Sequence, residues 1–281
     1  MNKEKYINYA NDHFKGNALD LVLKQIKLFF KEDAEVVKTK YTIGEEVYLK
    51  KGTFIHGIFN GINNFNYTVD NGFIATEFND FKRTNKISNG VGVWNIKDDT
   101  YLKDYIELYS GFTITYTIGR GPNSKLVSKL IPYHKFDYVT EKINNDDEIW
   151  QWFGEQTKEV RFIPSLVSEK RQIAFIINTE SKYAKEIIKA DIWNTYLDDE
   201  TLKYFTDYRY YENFLTERFN RDAKTTDRES AIIFGFPSSL IEGILVGRKT
   251  EKDIKMLKYI KSKLPDCYIC NLDGKVIVGN K

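Results

Sequence analysis

The stretch from Glu229 to the C-terminus constrains the fold more than any other. Two short apolar runs, "ESAIIFG" and "IEGILVG", are joined by Phe236-Pro237-Ser238-Ser239. Each is the length of a strand and shorter than a buried helix. "TEKDIKMLKYIKSKLP" follows, with Ile254, Leu257, Ile260 and Leu264 at helical spacing. That spacing predicts an amphipathic helix ending at Pro265. "CYICNLDGKVIVGN" then predicts a hairpin turned at Asp273-Gly274. Strands and a one-sided helix in close succession suit an α+β class.

Upstream, "ALDLVLKQIKLFF" (Ala18 to Phe30) has helical spacing, with Leu19, Leu21, Leu23, Ile26 and Phe29 on one broad face. "EVYLKKGTFIHGIFNG" reads as a strand running into a glycine turn, and "YTVDNGFIATEFNDF" as extended chain turned at Asn71-Gly72. "NGVGVWNI" reads as another extended unit. "DDTYLKDYIELYS" reads as a helix capped by Asp98 or Asp99, with Leu102, Ile106 and Tyr109 on one side and Ser110-Gly111 as its end. "FTITYTIG" alternates as a strand does. Asp146 or Asp147 opens a short helix, Glu159 to Ile163 is extended, "RQIAFII" is a strand, and 181–219 is helical and rich in Tyr, Phe and Trp. About eight strands and four or five helices are expected, in mixed order without strict βαβ alternation, which makes the class α+β. No linker rich in Pro, Gly or Ser divides the 281 residues, and only five prolines occur. A single domain 1–281 is expected, with an N-terminal helical region over 1–40 and a helical insertion over 181–219.

Charge and motifs narrow the function classes. Lys and Arg number 42 against 40 Asp and Glu, so no overall basic bias points to nucleic acid. No window approaches eighteen apolar residues, and the N-terminus lacks the apolar core of a signal peptide. A cytoplasmic protein without a membrane partner is expected. Cys267 and Cys270 form the one cysteine pair, with no second pair and the three histidines far away in sequence. They are expected to pack as small buried strand residues rather than to bind metal. No Walker loop, GxGxxG or HExxH occurs.

The order of several weak motifs resembles the bacterial DUF2971 family, which includes abortive-infection proteins of the AbiGi type and looks like a remote relative of the ADP-ribosyltransferase fold. Phe78-Asn79-Asp80 matches the family's early segment, with Phe81 where the family has proline. Trp94, Tyr101 or Tyr105, and Gly111 match its next segment, without the histidine before the glycine. Trp152, Glu159 and Arg161 match a third. Pro237, Ile241, Ile244 and Gly247 match the last, and the likeness runs from about Val47 to the C-terminus. The resemblance implies a single domain with a split mixed or antiparallel sheet. It also implies NAD as substrate, an unidentified macromolecular acceptor (nucleic acid or protein), and a setting in bacterial or phage defence or in a toxin system.

Aligned to the transferases, His56-Gly57 looks like the His-Gly of the diphtheria-type branch. Glu159 or Glu229 then stands as the late catalytic acid. The resemblance makes Trp94 or Tyr101 the ring that stacks on nicotinamide, and Arg161 or Arg120 the clamp on pyrophosphate. The chemistry suits these types. A carboxylate stabilises positive charge growing on the ribose carbon, an imidazole can hydrogen-bond a ribose, and a guanidinium fork fits phosphate.

Each candidate also has a plainer reading. His56 and Trp94 fit a core. Glu159 and Arg161, two residues apart, fit a pair on one strand face. Glu229 fits the edge of the charged turn "TTDRES", and Arg120 fits a common turn in "IGRGPNS". Arg171 has only its position before a strand to recommend it. Glu242, inside "LIEGILVG", is either a buried partnered carboxylate or a strand-end residue facing water. The alternative function is a non-catalytic module that keeps the fold and binds a nucleotide or a protein; the two departures from the family pattern favour it.

Overall fold

The apolar runs become strands. In the computed structural model the strands are β1 Tyr48–Leu49, β2 Phe54–Ile58, β3 Phe73–Ile74, β4 Val91–Asn95, β5 Thr100–Tyr101, β6 Gly111–Ile118, β7 Lys125–Pro132, β8 Arg161–Pro164, β9 Ile173–Ile177, β10 Glu229–Ile232, β11 Gly235–Phe236, β12 Ile241–Val246, β13 Tyr268–Cys270 and β14 Val276–Val278. The helices are α1 Lys3–His13, α2 Gly16–Phe29, α3 Gly61–Asn71, α4 Leu102–Tyr109, α5 Lys182–Ile188, α6 Asp199–Leu202, α7 Arg248–Glu251 and α8 Ile254–Lys263. The structure describes residues 2–31, 36, 38–58, 61–75, 78, 91–96, 98–109, 111–118, 125–132, 161–164, 173–191, 197–202, 204–205 and 229–280. The helix expected at Asp146 or Asp147, and 206–219 of the expected insertion, lie outside them.

One sheet dominates, in the order β10-β4-β2-β9-β12-β13-β14. It is mixed: β12 and β13 run parallel and the other neighbours antiparallel. The parallel pair follows from the connection, because α7 and α8 carry the chain from β12 across to β13. Smaller sheets pair β1 with β5, β11 with β3, and β7-β6-β8.

Alternation along the central strands separates two apolar clusters. Phe54, Phe175, Ile177, Ile244 and Ile269 join the larger one with Tyr6, Val22, Ile26, Phe65, Tyr183 and Ile260 from the helices. Ile55, Ala174, Ile176, Leu245 and Tyr268 join the smaller one with Leu102, Tyr105 and Ile106 of α4. The sheet is therefore covered on both sides, which explains why β9 and β12 are buried at every position.

Side chains close the polar ends. Ser181 caps α5 by accepting from Ala184 N at 3.0 Å, and Asp253 caps α8 by accepting from Met256 N at 3.0 Å. Lys261 Nζ donates to Cys267 O at 2.8 Å and Gly279 O at 2.7 Å, fastening α8 to the chain beside β13 and β14. Lys261→Met leaves both carbonyls without this charged donor. A loss of about 1–3 kcal/mol is expected in urea unfolding; an unchanged midpoint would show that water replaces the ammonium.

Four local expectations change. Tyr67 to Asn71 is not extended: it ends α3, whose Phe65 and Thr68 are buried. Tyr259 Oη donates to Asn66 Oδ1 at 2.7 Å, docking α3 on α8. Gly72 takes φ +74° just after α3, the left-handed stop that glycine supplies. Neither Asp98 nor Asp99 caps α4, because β5 intervenes, and Asp99 Oδ1 instead accepts from Lys51 N at 2.8 Å. Ile254, expected on the apolar side of α8, is its first residue and is 67% exposed. The buried stripe of α2 runs through Ala18, Val22, Gln25, Ile26 and Phe29, leaving Leu19, Leu21 and Leu23 at its margins. Among the described residues the strands also outnumber the expectation, since several are only two residues long.

Candidate functional site

β2 lies inside the central sheet, yet its middle is not closed. Phe54, Ile55 and Ile58 are buried, while His56 and Gly57 are only partly so. The β2–β9 register covers five residue pairs, from Phe54–Ile177 to Ile58–Ile173. The β2–β4 register covers two, Phe54–Asn95 and Ile55–Trp94. That shorter ladder ends next to His56.

His56 stands opposite Phe175, and its ring meets Phe73 edge-on at 5.2 Å between centroids. Phe73 in turn meets Phe175 at 5.1 Å. His56 therefore borders the larger apolar cluster. It is a half-covered imidazole against aromatic rings, neither sealed in the core nor fully in water.

Trp94 and Glu229 are register partners on β4 and β10. With Ile55 they form one cross-strand row, Glu229–Trp94–Ile55–Ile176. His56 belongs to the next row, with Phe175 and Ile244. Neighbouring rows alternate across the pleat. At the usual strand spacing the backbone of Glu229 is roughly 10 Å from that of Ile55. Asn95 Nδ2 donates to Ser230 Oγ at 3.1 Å, tying β4 to β10. Buried Asp191 accepts from Ala231 N at 3.0 Å, holding the outer side of β10.

The other candidates are on other sheets. Tyr101 pairs with Tyr48 across β1 and β5; the rings are 5.1 Å apart and half-exposed, and Lys50 Nζ is 5.7 Å from the Tyr48 centroid. Arg161 opens β8 in the three-stranded sheet, opposite Thr115. Glu159, Arg120 and Arg171 lie outside the described residues. Thus His56, Gly57, Trp94 and Glu229 share one sheet, while Tyr101 and Arg161 each belong to another. Among the described residues no three His, Cys, Asp or Glu side chains form a metal-binding group.

One polar site was barely legible in the sequence. Between β12 and β9 the register advances two residues, Ile241 to Gly243, against one, Ile177 to Ile176. Glu242 is the extra residue of this β-bulge, a feature that re-aims a side chain. It is buried, and its Oε2 accepts from Asn178 Nδ2 at 3.0 Å and Thr39 Oγ1 at 3.2 Å. Burial pushes its carboxyl above the ordinary value, hydrogen bonds from the Asn178 amide, the Thr39 hydroxyl and the Thr39 backbone N–H pull it back somewhat, and the nearby Glu180 adds to the rise. Of its two sequence readings, the buried partnered carboxylate is the one found.

The cysteines flank the same strand. Cys267 Sγ donates to Ile241 O at 3.1 Å and Cys270 Sγ to Ile244 O at 3.5 Å. Both are free, buried thiols, and burial raises both above the ordinary thiol value. Both pack as buried residues, as expected, but only Cys270 belongs to β13; Cys267 stands just before it.

Comparison with known proteins adds no identity: no family model, curated protein or solved structure matches the chain.

Proposed function

We propose that the chain is an ADP-ribosyltransferase-like enzyme that consumes NAD and modifies a nucleic-acid or protein acceptor, in keeping with a defence or toxin role. One observation carries this reading. His56 and Gly57 are the partly open positions of a strand inside the central sheet, beside the end of its ladder with β4. An imidazole there can hydrogen-bond a ribose, and the glycine leaves room for close approach of a ligand. Trp94 and Glu229, a ring type and an acid type, stand one strand and two strands away in the row next to that of His56.

In such a reaction the C1′–N bond breaks and nicotinamide leaves with its electron pair. An acceptor atom then gives an electron pair to C1′ and loses its proton. Glu229 or Glu159 supplies negative charge opposite the developing cation, Trp94 or Tyr101 a ring for nicotinamide, and Arg161 a fork for pyrophosphate.

The test is nicotinamide release from NAD by purified protein. His56→Ala is expected to weaken NAD binding about tenfold, the scale of one lost polar contact. Release in which KM and kcat are both indifferent to His56→Ala would overturn the assignment.

A second reading is favoured by the register. His56 and the Trp94–Glu229 pair occupy different, neighbouring cross-strand rows of the backbone register. A non-catalytic module that binds a nucleotide or a protein needs no convergence of imidazole and acid. Its signature is saturable binding of NAD, or of another nucleotide, without nicotinamide release.

A further inference from the structure

The segment 38–41 is fastened at several points. Asn280 Nδ2 donates to Thr39 O at 2.9 Å, and Asn280 Oδ1 accepts from Tyr41 N at 2.8 Å. Asn280 N donates to Tyr41 O at 3.1 Å. The Tyr41 ring meets the buried Tyr268 ring at 4.8 Å, and its hydroxyl bonds both Tyr48 N and Tyr48 O. Glu242 is joined to this strap through Thr39 Oγ1.

The side chains around Glu242 leave it poorly matched as an anion. Tyr41 approaches from the strap, Tyr268 from β13 and Glu180 from the loop after β9; none brings positive charge. Two nearby lysines are engaged elsewhere. Lys38 Nζ lies 3.7 Å from Cys267 Sγ, and Lys261 Nζ bonds the carbonyls of Cys267 and Gly279. The donors to the carboxyl, the Asn178 amide, the Thr39 hydroxyl and the Thr39 backbone N–H, are all neutral. An ionised carboxylate that cannot be paired where it lies gains most by reaching water, and Glu242 is buried with the exposed Thr39 of the strap bonded to it.

We propose that Glu242 and the strap 38–41 form a proton-linked clasp, closed when the bulge carboxyl holds its proton and loosened when it ionises. The sign follows from the direction of the shift. The folded chain holds the Glu242 proton more tightly than the unfolded chain does, so this contribution is full below the ordinary glutamate value of 4.5. It is lost as pH rises through the higher folded value. The strap leads into β1, where Tyr48 packs on Tyr101. A loosened clasp therefore frees one support of that exposed ring pair without touching β2. The inference stands apart from the NAD reading, since it needs no nucleotide.

The test compares Glu242→Gln with the wild type. Glutamine is isosteric and its carbonyl can accept from both Asn178 and Thr39, so the variant mimics the protonated clasp. From about pH 5 to about pH 8 the wild-type Tm is expected to fall by about 3 °C more than that of Glu242→Gln. At the alkaline end, amide exchange in 38–41 is expected to be about tenfold slower in the variant at equal pH. Thr39→Val, which removes the strap hydroxyl, is expected to speed exchange there at every pH. Equal pH slopes for wild type and Glu242→Gln overturn the proposal. So does fast alkaline exchange confined to segments other than 38–41.

Discussion

Gly235→Ala is expected to leave little soluble folded protein, or a folded state weakened by more than about 4 kcal/mol. Gly235 has φ +141°, a backbone region closed to side-chain-bearing residues. An added Cβ would stand 1.7 Å from Phe73 O and 2.8 Å from Phe73 C. These are backbone atoms of β3, the strand that pairs with β11, so no rotamer change relieves the contact. The neighbours cannot yield either. Phe234 packs against Tyr6, Phe29 and Phe78, and Phe236 against Phe54, all in the larger cluster. Gly235 lets the chain place two buried phenylalanines in sequence while β11 closes on β3. Expression followed by urea unfolding checks this; a variant within about 1 kcal/mol of the wild type would mean that the β3–β11 approach is looser than described.

The second large effect concerns chemistry. Glu229→Gln is expected to lower nicotinamide release about 100-fold or more if Glu229 carries the acid role, the scale seen when a preorganised group opposing transition-state charge is removed. Glutamine keeps the size and some hydrogen bonding but loses the negative charge, so NAD binding should change far less than turnover. Its partner Trp94, and the link from Asn95 to Ser230, hold the backbone around Glu229 in place. Glu159→Gln is the matched comparison. A large loss in one variant assigns the acid to it. Full turnover in both would mean that neither glutamate serves.

The sequence carried some of this and not the rest, for physical reasons. The C-terminal hairpin is legible because a turn with a required left-handed glycine, Gly274 at φ +73°, is a local signal. The strands β6, β9 and β12 are legible from alternation or from unbroken apolar runs. α3 is not, because "YTVD" has strand-like residues and its helix depends on docking against Tyr259, far away in the chain. Glu242 stands out locally only as an acid among apolar neighbours. What makes it a site is a one-residue mismatch between β12 and β9, and a contact with Thr39 some two hundred residues earlier. The relation between His56 and Trp94 has the same character. Which row each occupies is fixed by a register between distant strands, and a slip of one residue would exchange their sides.

A crystal structure of the chain with an uncleavable NAD analogue tests the central claim most directly. The expected result is a dinucleotide seated beside Gly57, with a ribose hydroxyl within hydrogen-bond distance of the His56 ring and the nicotinamide end toward Trp94 and Glu229. A dinucleotide bound away from β2, or none at a concentration far above any useful affinity, would contradict it.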